Sequence, residues 1–101
     1  MNRQEFLGKM ASNQMRAIGI VELKNADYAG ENDPFKNFRA AELLGMTVEQ
    51  GILLRMSDKM TRIGNLLKSQ QKVQDESIED TLLDLMNYAN ILLTYRQSRQ
   101  K

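Results

Sequence analysis

The chain has no cysteine, no histidine and no tryptophan, one proline, and only three phenylalanines and three tyrosines among its 101 residues. Without cysteine there are no disulfides and no thiolate metal sites. Without histidine the commonest general base and the commonest metal ligand are both missing. Zinc hydrolysis and Ser-His-Asp or Cys-His chemistry are therefore excluded, and any catalysis falls to carboxylates with a hard cation such as magnesium, or to Lys, Tyr and Arg. An excess of charge of one sign is also lacking: 14 Lys and Arg against 13 Asp and Glu leave a formal +1. A general nucleic-acid binder carries a stronger basic excess. Long hydrophobic runs are missing too. No apolar stretch nears the ~20 residues of a membrane span. Residues 1–10 mix Arg3, Glu5 and Lys9 with Phe6 and Leu7, without the continuous apolar centre of a signal peptide. The expectation is a cytoplasmic protein with neither membrane nor general nucleic-acid partners.

What is present is aliphatic. Hydrophobic residues make up 42% of the sequence, seven of them Met. A chain of this length is one domain, 1–101, and buries only about two-thirds of the surface its unfolded form exposes, so its core is thin. Small helical domains make up that deficit by oligomerising, and a homo-oligomer is expected.

The spacing predicts an all-α fold, a small helical bundle that ends in a long antiparallel helical hairpin. Residues 2–24 carry Phe6, Met10, Ile18 and Val21 without proline and read as an amphipathic helix. Residues 25–34 collect Asn, Asp, Gly and the only Pro, and read as a long loop. Asp33 before Pro34 suits the start of a short helix running to Leu44, which Gly45 ends. Thr47-Val48-Glu49-Gln50 is a capping box opening the next helix. There Ile52, Met56, Met60, Ile63 and Leu67 form one buried stripe to about residue 69. Residues 70–74 are polar, and Asp75 or Ser77 caps a last helix reaching Gln97, followed by a frayed basic tail. That helix is apolar around most of its circumference, from Ile78 to Leu93, and needs neighbours on several sides.

Charge enters both hairpin helices in rows. Arg55, Asp58, Lys59, Arg62 and Asn65 lie along one side over nearly three turns, and Asp80, Asp84, Asn87, Tyr88 and Ile91 follow the same spacing. If residues 70–76 fold the two helices back, Arg62 falls near Asp84, and Asp58 and Lys59 approach Asn87 and Tyr88. Two readings stay open. Arg62 with Asp84, and Arg55 with Asp58, are ion pairs that fix register. Alternatively the cations take phosphate oxygens while carboxylates or amides hold a base, a sugar or magnesium. Tyr28 and Phe35, flanking the loop, have the faces to stack on a nucleobase, or they anchor the loop itself. The methionines read as core filler and adaptable interface.

Four blocks then carry a resemblance. Lys24-Asn25-Ala26-Asp27-Tyr28-Ala29-Gly30 comes first, followed by Asp33-Pro34-Phe35-Lys36-Asn37-Phe38. Arg55-Met56-Ser57-Asp58-Lys59 is the third, and Asp75-Glu76-Ser77-Ile78-Glu79-Asp80-Thr81-Leu82-Leu83-Asp84-Leu85-Met86-Asn87-Tyr88 the fourth. In that order, over about residues 23–93, they resemble the phage and prophage "nucleotide modification associated domain" family, first type. The resemblance implies a phage or bacterial origin and a connection with nucleotides, and supplies no mechanism. A remoter similarity is to all-helical nucleoside triphosphate pyrophosphatases of the MazG type, which hold magnesium with paired ExxE and ExxD motifs. Glu76 and Glu79 make an ExxE here, but Asp80 and Asp84 have no matching acidic pair on the preceding helix, where Asp58 stands among cations.

The expected function is noncatalytic nucleotide binding without a cofactor, through Arg55, Asp58, Lys59, Arg62, Asp84, Asn87, Tyr88, Tyr28 and Asn37. In a phage setting the ligand would be a cyclic nucleotide defence signal sequestered by an oligomer, or the protein would support nucleotide modification. The alternatives are a magnesium-dependent pyrophosphohydrolase using Asp58, Glu79, Asp80 and Asp84, and a helical protein-binding adaptor.

Overall fold

The computed structural model describes residues 1–28, 33–68 and 74–100, with the side chains of 25–28 and 74–76 not described. The regular structure among the described residues is all helical: α1 (Arg3–Tyr28), a 3₁₀ helix (Lys36–Leu44), α2 (Val48–Lys68) and α3 (Gln74–Ser98), with no strand among them. The all-α bundle with a long C-terminal hairpin is thus present, and no described helix is long and apolar enough to cross a membrane.

Local chemistry sets most of the boundaries. Asn2 opens α1 by accepting from the Glu5 N–H at 2.8 Å while its own amide donates to the Glu5 carboxylate at 3.2 Å. α1 continues one turn beyond the expected end at Lys24, through Asn-Ala-Asp-Tyr. Turn-forming residues near a helix end are only a weak prior, and Ala26 is the best helix former. The expected loop is shorter by those four residues, and 29–32 lie outside the described residues.

The short helix differs in kind as well as in start. It is 3₁₀, beginning at Lys36 rather than Pro34. Asp33 closes the turn before it, with Oδ1 accepting from the Phe35 N–H at 3.1 Å and its carbonyl accepting from Lys36 N–H at 3.2 Å. Arg39 Nε donates to Asp33 Oδ2 at 2.6 Å. Gly45 ends the segment at φ 76°, a left-handed conformation that glycine adopts without a Cβ penalty. The capping box forms in both directions: Thr47 Oγ1 accepts from Gln50 N–H at 3.0 Å, and Gln50 Oε1 accepts from Thr47 N–H at 2.9 Å.

α2 and α3 pack most extensively, around Val48, Ile52 and Tyr95, with Phe35, Phe38, Met56, Tyr88, Ile91 and Leu92 against them. Phe35 meets Tyr95 edge to face at 5.1 Å, and Phe38 meets Tyr88 likewise at 6.2 Å, so the 3₁₀ helix is pinned across the hairpin. The stripe on α2 is buried only toward its N-terminus: Met60 and Leu67 remain 61% and 68% exposed. The basic tail is not frayed at its start. Arg96 donates to Glu49 at 2.5 Å, Arg99 lies 3.9 Å from the same carboxylate, and its guanidinium sits 5.6 Å from the Tyr95 ring.

Candidate functional site

α1 crosses the hairpin at one close point. Ala17 is buried against α3, and the Asn87 side-chain amide donates to its carbonyl oxygen at 2.9 Å. Alanine lets the two helices approach, and the amide is satisfied in a buried position, where an unpaired one costs about 1–3 kcal/mol. Thr81, also buried, donates back to the Ser77 carbonyl at 2.7 Å.

Beside this crossing α1, the 3₁₀ helix, α2 and α3 enclose a cavity of about 490 Å³, lined among others by Lys24, Asn37, Phe38, Arg55, Asp84, Asn87 and Tyr88. A second concavity, of about 620 Å³, runs along α2 and is lined by Arg55, Asp58, Lys59, Thr61, Arg62, Asn65, Leu66 and Tyr88. Arg55 and Tyr88 are common to both. The five polar residues predicted to share one side of α2 therefore face one groove.

The ion pairs differ from the expected ones. Asp84 does not take Arg62; its carboxylate faces Lys59 at 3.3 Å and Lys24 at 3.6 Å. Lys59, one turn before Arg62 on the same side of α2, meets Asp84 in place of the expected Arg62. Arg55 and Asp58 do not pair either, and among the described residues Arg55, Asp58 and Arg62 make no ion pair. Lys59 and Asp84 are the sheltered couple, their side chains 29% and 24% exposed. Two ammonium groups on one carboxylate leave Asp84 fully compensated, so it acts as an anchor for α1 and α2.

Of the predicted nucleotide-binding residues, Arg55, Asp58, Lys59, Arg62, Asp84, Asn87, Tyr88 and Asn37 line one or other of these adjoining spaces. Asn87 does so with its amide N–H already committed to Ala17. Tyr28 ends α1, and its side chain lies outside the described residues. Phe35 packs on Tyr95 in the core, as a loop anchor would. Sequence reasoning missed Lys24 as a contributor. It lies seven residues after Ala17, two helical turns along the same face, and that spacing was the available signal.

The carboxylates proposed for a magnesium site do not gather. Among the described residues no three acidic side chains form a group able to hold a metal ion. Asp80 faces Arg16 at 3.9 Å, and Asp84 is held between two lysines. No family model, curated protein or solved structure matches the chain.

Proposed function

We propose that the chain is a noncatalytic binding protein for a nucleotide, held across the two adjoining spaces. The observation that carries this reading is Arg55: it belongs to both concavities, has no carboxylate partner among the described residues, and stands beside Tyr88. An unpaired guanidinium presents a planar fork of donors suited to phosphate oxygens. Arg62 and Lys59, on the same groove, extend the cationic line. Tyr88, Phe38 and Ile91 give the smaller cavity the apolar walls a base requires, and Asn37 and Asp84 place polar groups at its rim.

The resemblance to the phage and prophage nucleotide-associated family supports the same ligand class. On that reading the protein belongs to a phage or prophage and works in the cytoplasm of its host. There it sequesters a nucleotide-derived signal, a cyclic nucleotide of host defence among the candidates, or supports nucleotide modification. Dispersed carboxylates favour binding over metal-assisted hydrolysis.

Isothermal titration against mono-, di- and cyclic nucleotides tests the reading. One class should bind in the micromolar range, remain chemically intact, and lose at least about tenfold in affinity with Arg55→Ala, as expected for a lost charge-assisted bidentate contact. No heat at millimolar ligand, or turnover of the ligand, rejects it.

A further inference from the structure

Every residue from Met1 through Arg16 is exposed, although α1 is a capped, regular helix from Arg3 onward. A helical stretch this short is marginal in water unless one face is packed. One row among its apolar residues runs along the side that packs. Leu7, Met10, Ala17 and Val21 recur at helical spacing, broken only at Gln14. At Ala17 and Val21 this stripe packs within the chain. Toward the N-terminus the same stripe continues past α3 with no described residue packed over it, leaving Leu7, Met10 and the neighbouring Phe6 50%, 45% and 51% exposed.

The surface area sets an upper bound on what is missing, since exposed apolar residues elsewhere, Leu43, Leu44 and Leu67 among them, also contribute to the excess. The chain exposes 8080 Å². A compact monomer of 11.6 kDa exposes about 5,800 Å², so the excess is about 2,200 Å². The radius of gyration agrees: it is 15.6 Å, against about 13 Å for a compact domain of this length. Obligate dimers bury about 1,000–2,500 Å² on each partner, which spans that excess.

A matching receptor lies on the same chain. Where α1 leaves α3, a groove of about 460 Å³ is walled by Ala17, Ile18, Met86, Ala89 and Leu93 together with the amides of Gln14, Asn87 and Asn90, and carries no charged side chain. It adjoins the uncovered stripe along α1, so one patch holds both apolar knobs and an uncharged slot with apolar walls. A patch complementary to itself is the requirement of a two-fold contact.

We propose that this face is the interface between two copies of the chain. The N-terminal half of each α1 lies antiparallel in the α1/α3 groove of the other. Phe6, Leu7 and Met10 enter beside the partner's Ile18 and Leu93, and four helices close around a shared apolar layer. The contact lies on the other side of the Ala17 crossing from the Arg55 cavity, and Asn87 lines the spaces on both sides.

Native mass spectrometry and sedimentation of the full chain should give twice 11.6 kDa, or an even multiple of that mass, at high-micromolar concentration. Leu7→Glu with Met10→Glu should raise the dissociation constant at least about 100-fold while helical circular dichroism persists, because two central contacts are replaced by charges. Leu43→Glu, on the 3₁₀ helix, should leave the assembly intact. The absence of native cysteine allows a second test that needs no disruption. Leu7→Cys and Ile18→Cys chains, mixed and oxidised, should link to one another, and Leu43→Cys with Ile18→Cys should not. A monomeric wild type, an odd number of copies, an assembly that survives the double substitution, or failure of the Leu7–Ile18 link would overturn the proposal. Since no ligand enters these measurements, their failure leaves the nucleotide titration standing.

Discussion

Gly51→Ala sets two opposing effects against each other at the contact that seats the 3₁₀ helix. In a helix interior alanine is more favourable than glycine by about 1 kcal/mol, so on α2 alone the substitution stabilises. In the folded chain a Cβ at this position would lie 2.8 Å from the Ala41 Cβ and 3.6 Å from the Phe38 carbonyl oxygen. Carbon pairs rest at about 3.5–4.0 Å. The Ala41 methyl has no rotamer through which to retreat, so the 3₁₀ helix itself must move outward by about 1 Å to restore contact. Overpacking of this kind costs about 1–3 kcal/mol, and after the propensity gain a net loss of about 1 kcal/mol remains. In a domain of this size that lowers Tm by about 4–8 °C. The assay is thermal and urea unfolding, at one protein concentration, of wild type, Gly51→Ala, Ala41→Gly and the double variant. With Ala41 reduced to glycine the clash disappears, and Gly51→Ala should then raise stability. Such a reversal of sign is a coupling measured by the double-mutant cycle. If Gly51→Ala stabilises in both backgrounds, or the two changes simply add, the close approach is not what holds this position as glycine.

Three further outcomes follow from the same contacts. Asn87→Ala should lower stability by about 1–3 kcal/mol in urea unfolding, since it removes a buried hydrogen bond and opens space at the α1 crossing. Asn87→Asp should do worse, because its carboxylate would face the Ala17 carbonyl without a donor. Lys59→Ala should cost about 1 kcal/mol, the loss of one sheltered partner of Asp84 while Lys24 remains, whereas Arg62→Ala should stay within about 0.5 kcal/mol of wild type. Titration of nucleotide should show Arg62→Ala weakening binding despite its unchanged melt. The Arg39 hydrogen bond is the main reason the Asp33 carboxyl is held below its ordinary 3.8, with burial pulling the other way and the Phe35 N–H adding to the depression. A carboxyl more acidic in the folded state contributes stability that is complete above its unfolded pKa and is lost as pH falls through the lower, folded value. Asp33→Asn keeps the cap chemistry and removes the titration, so its stability should be lower at neutral pH and should change less below pH 3.8, followed by acid unfolding.

The parts of the fold that were legible are those written in neighbouring residues. Thr47 and Gln50 specify their reciprocal bonds because three residues bring side chain and orphan N–H together in any helix start. Gly45 marks a left-handed stop for a reason confined to one residue. The common groove of Arg55, Asp58, Lys59, Arg62 and Asn65 was equally legible, because helical periodicity alone places them on one side. Which cation meets Asp84 was not. Lys59 and Arg62 stand one turn apart on the same side of α2, and either side chain is long enough to reach a carboxylate on α3. Periodicity cannot choose between them. Charge cannot choose either, since both are cations.

The position of α1 lay further still from local signals. Its decisive contact joins Ala17 to Asn87 across 70 positions in sequence, and its salt bridges reach Asp80 and Asp84 on α3. Only small size at residue 17 hinted at a close crossing. Yet α1 walls the smaller cavity through Ile20, Val21 and Lys24 and carries the uncovered stripe at its other end. One rigid helix thus joins the two proposed contacts, ligand on one side of the Ala17 crossing and a second copy on the other. The crossing is secured within the chain chiefly by one buried hydrogen bond and by ion pairs with partly solvated members, which contribute little individually. Packing by a second copy would therefore supply much of what keeps α1 in place, and with it the wall against which Tyr88 and Asp84 define the cavity. A chain this short lacks the interior to fix a long helix by itself, which is the physical reason that the proposed assembly and the proposed site share one structural element.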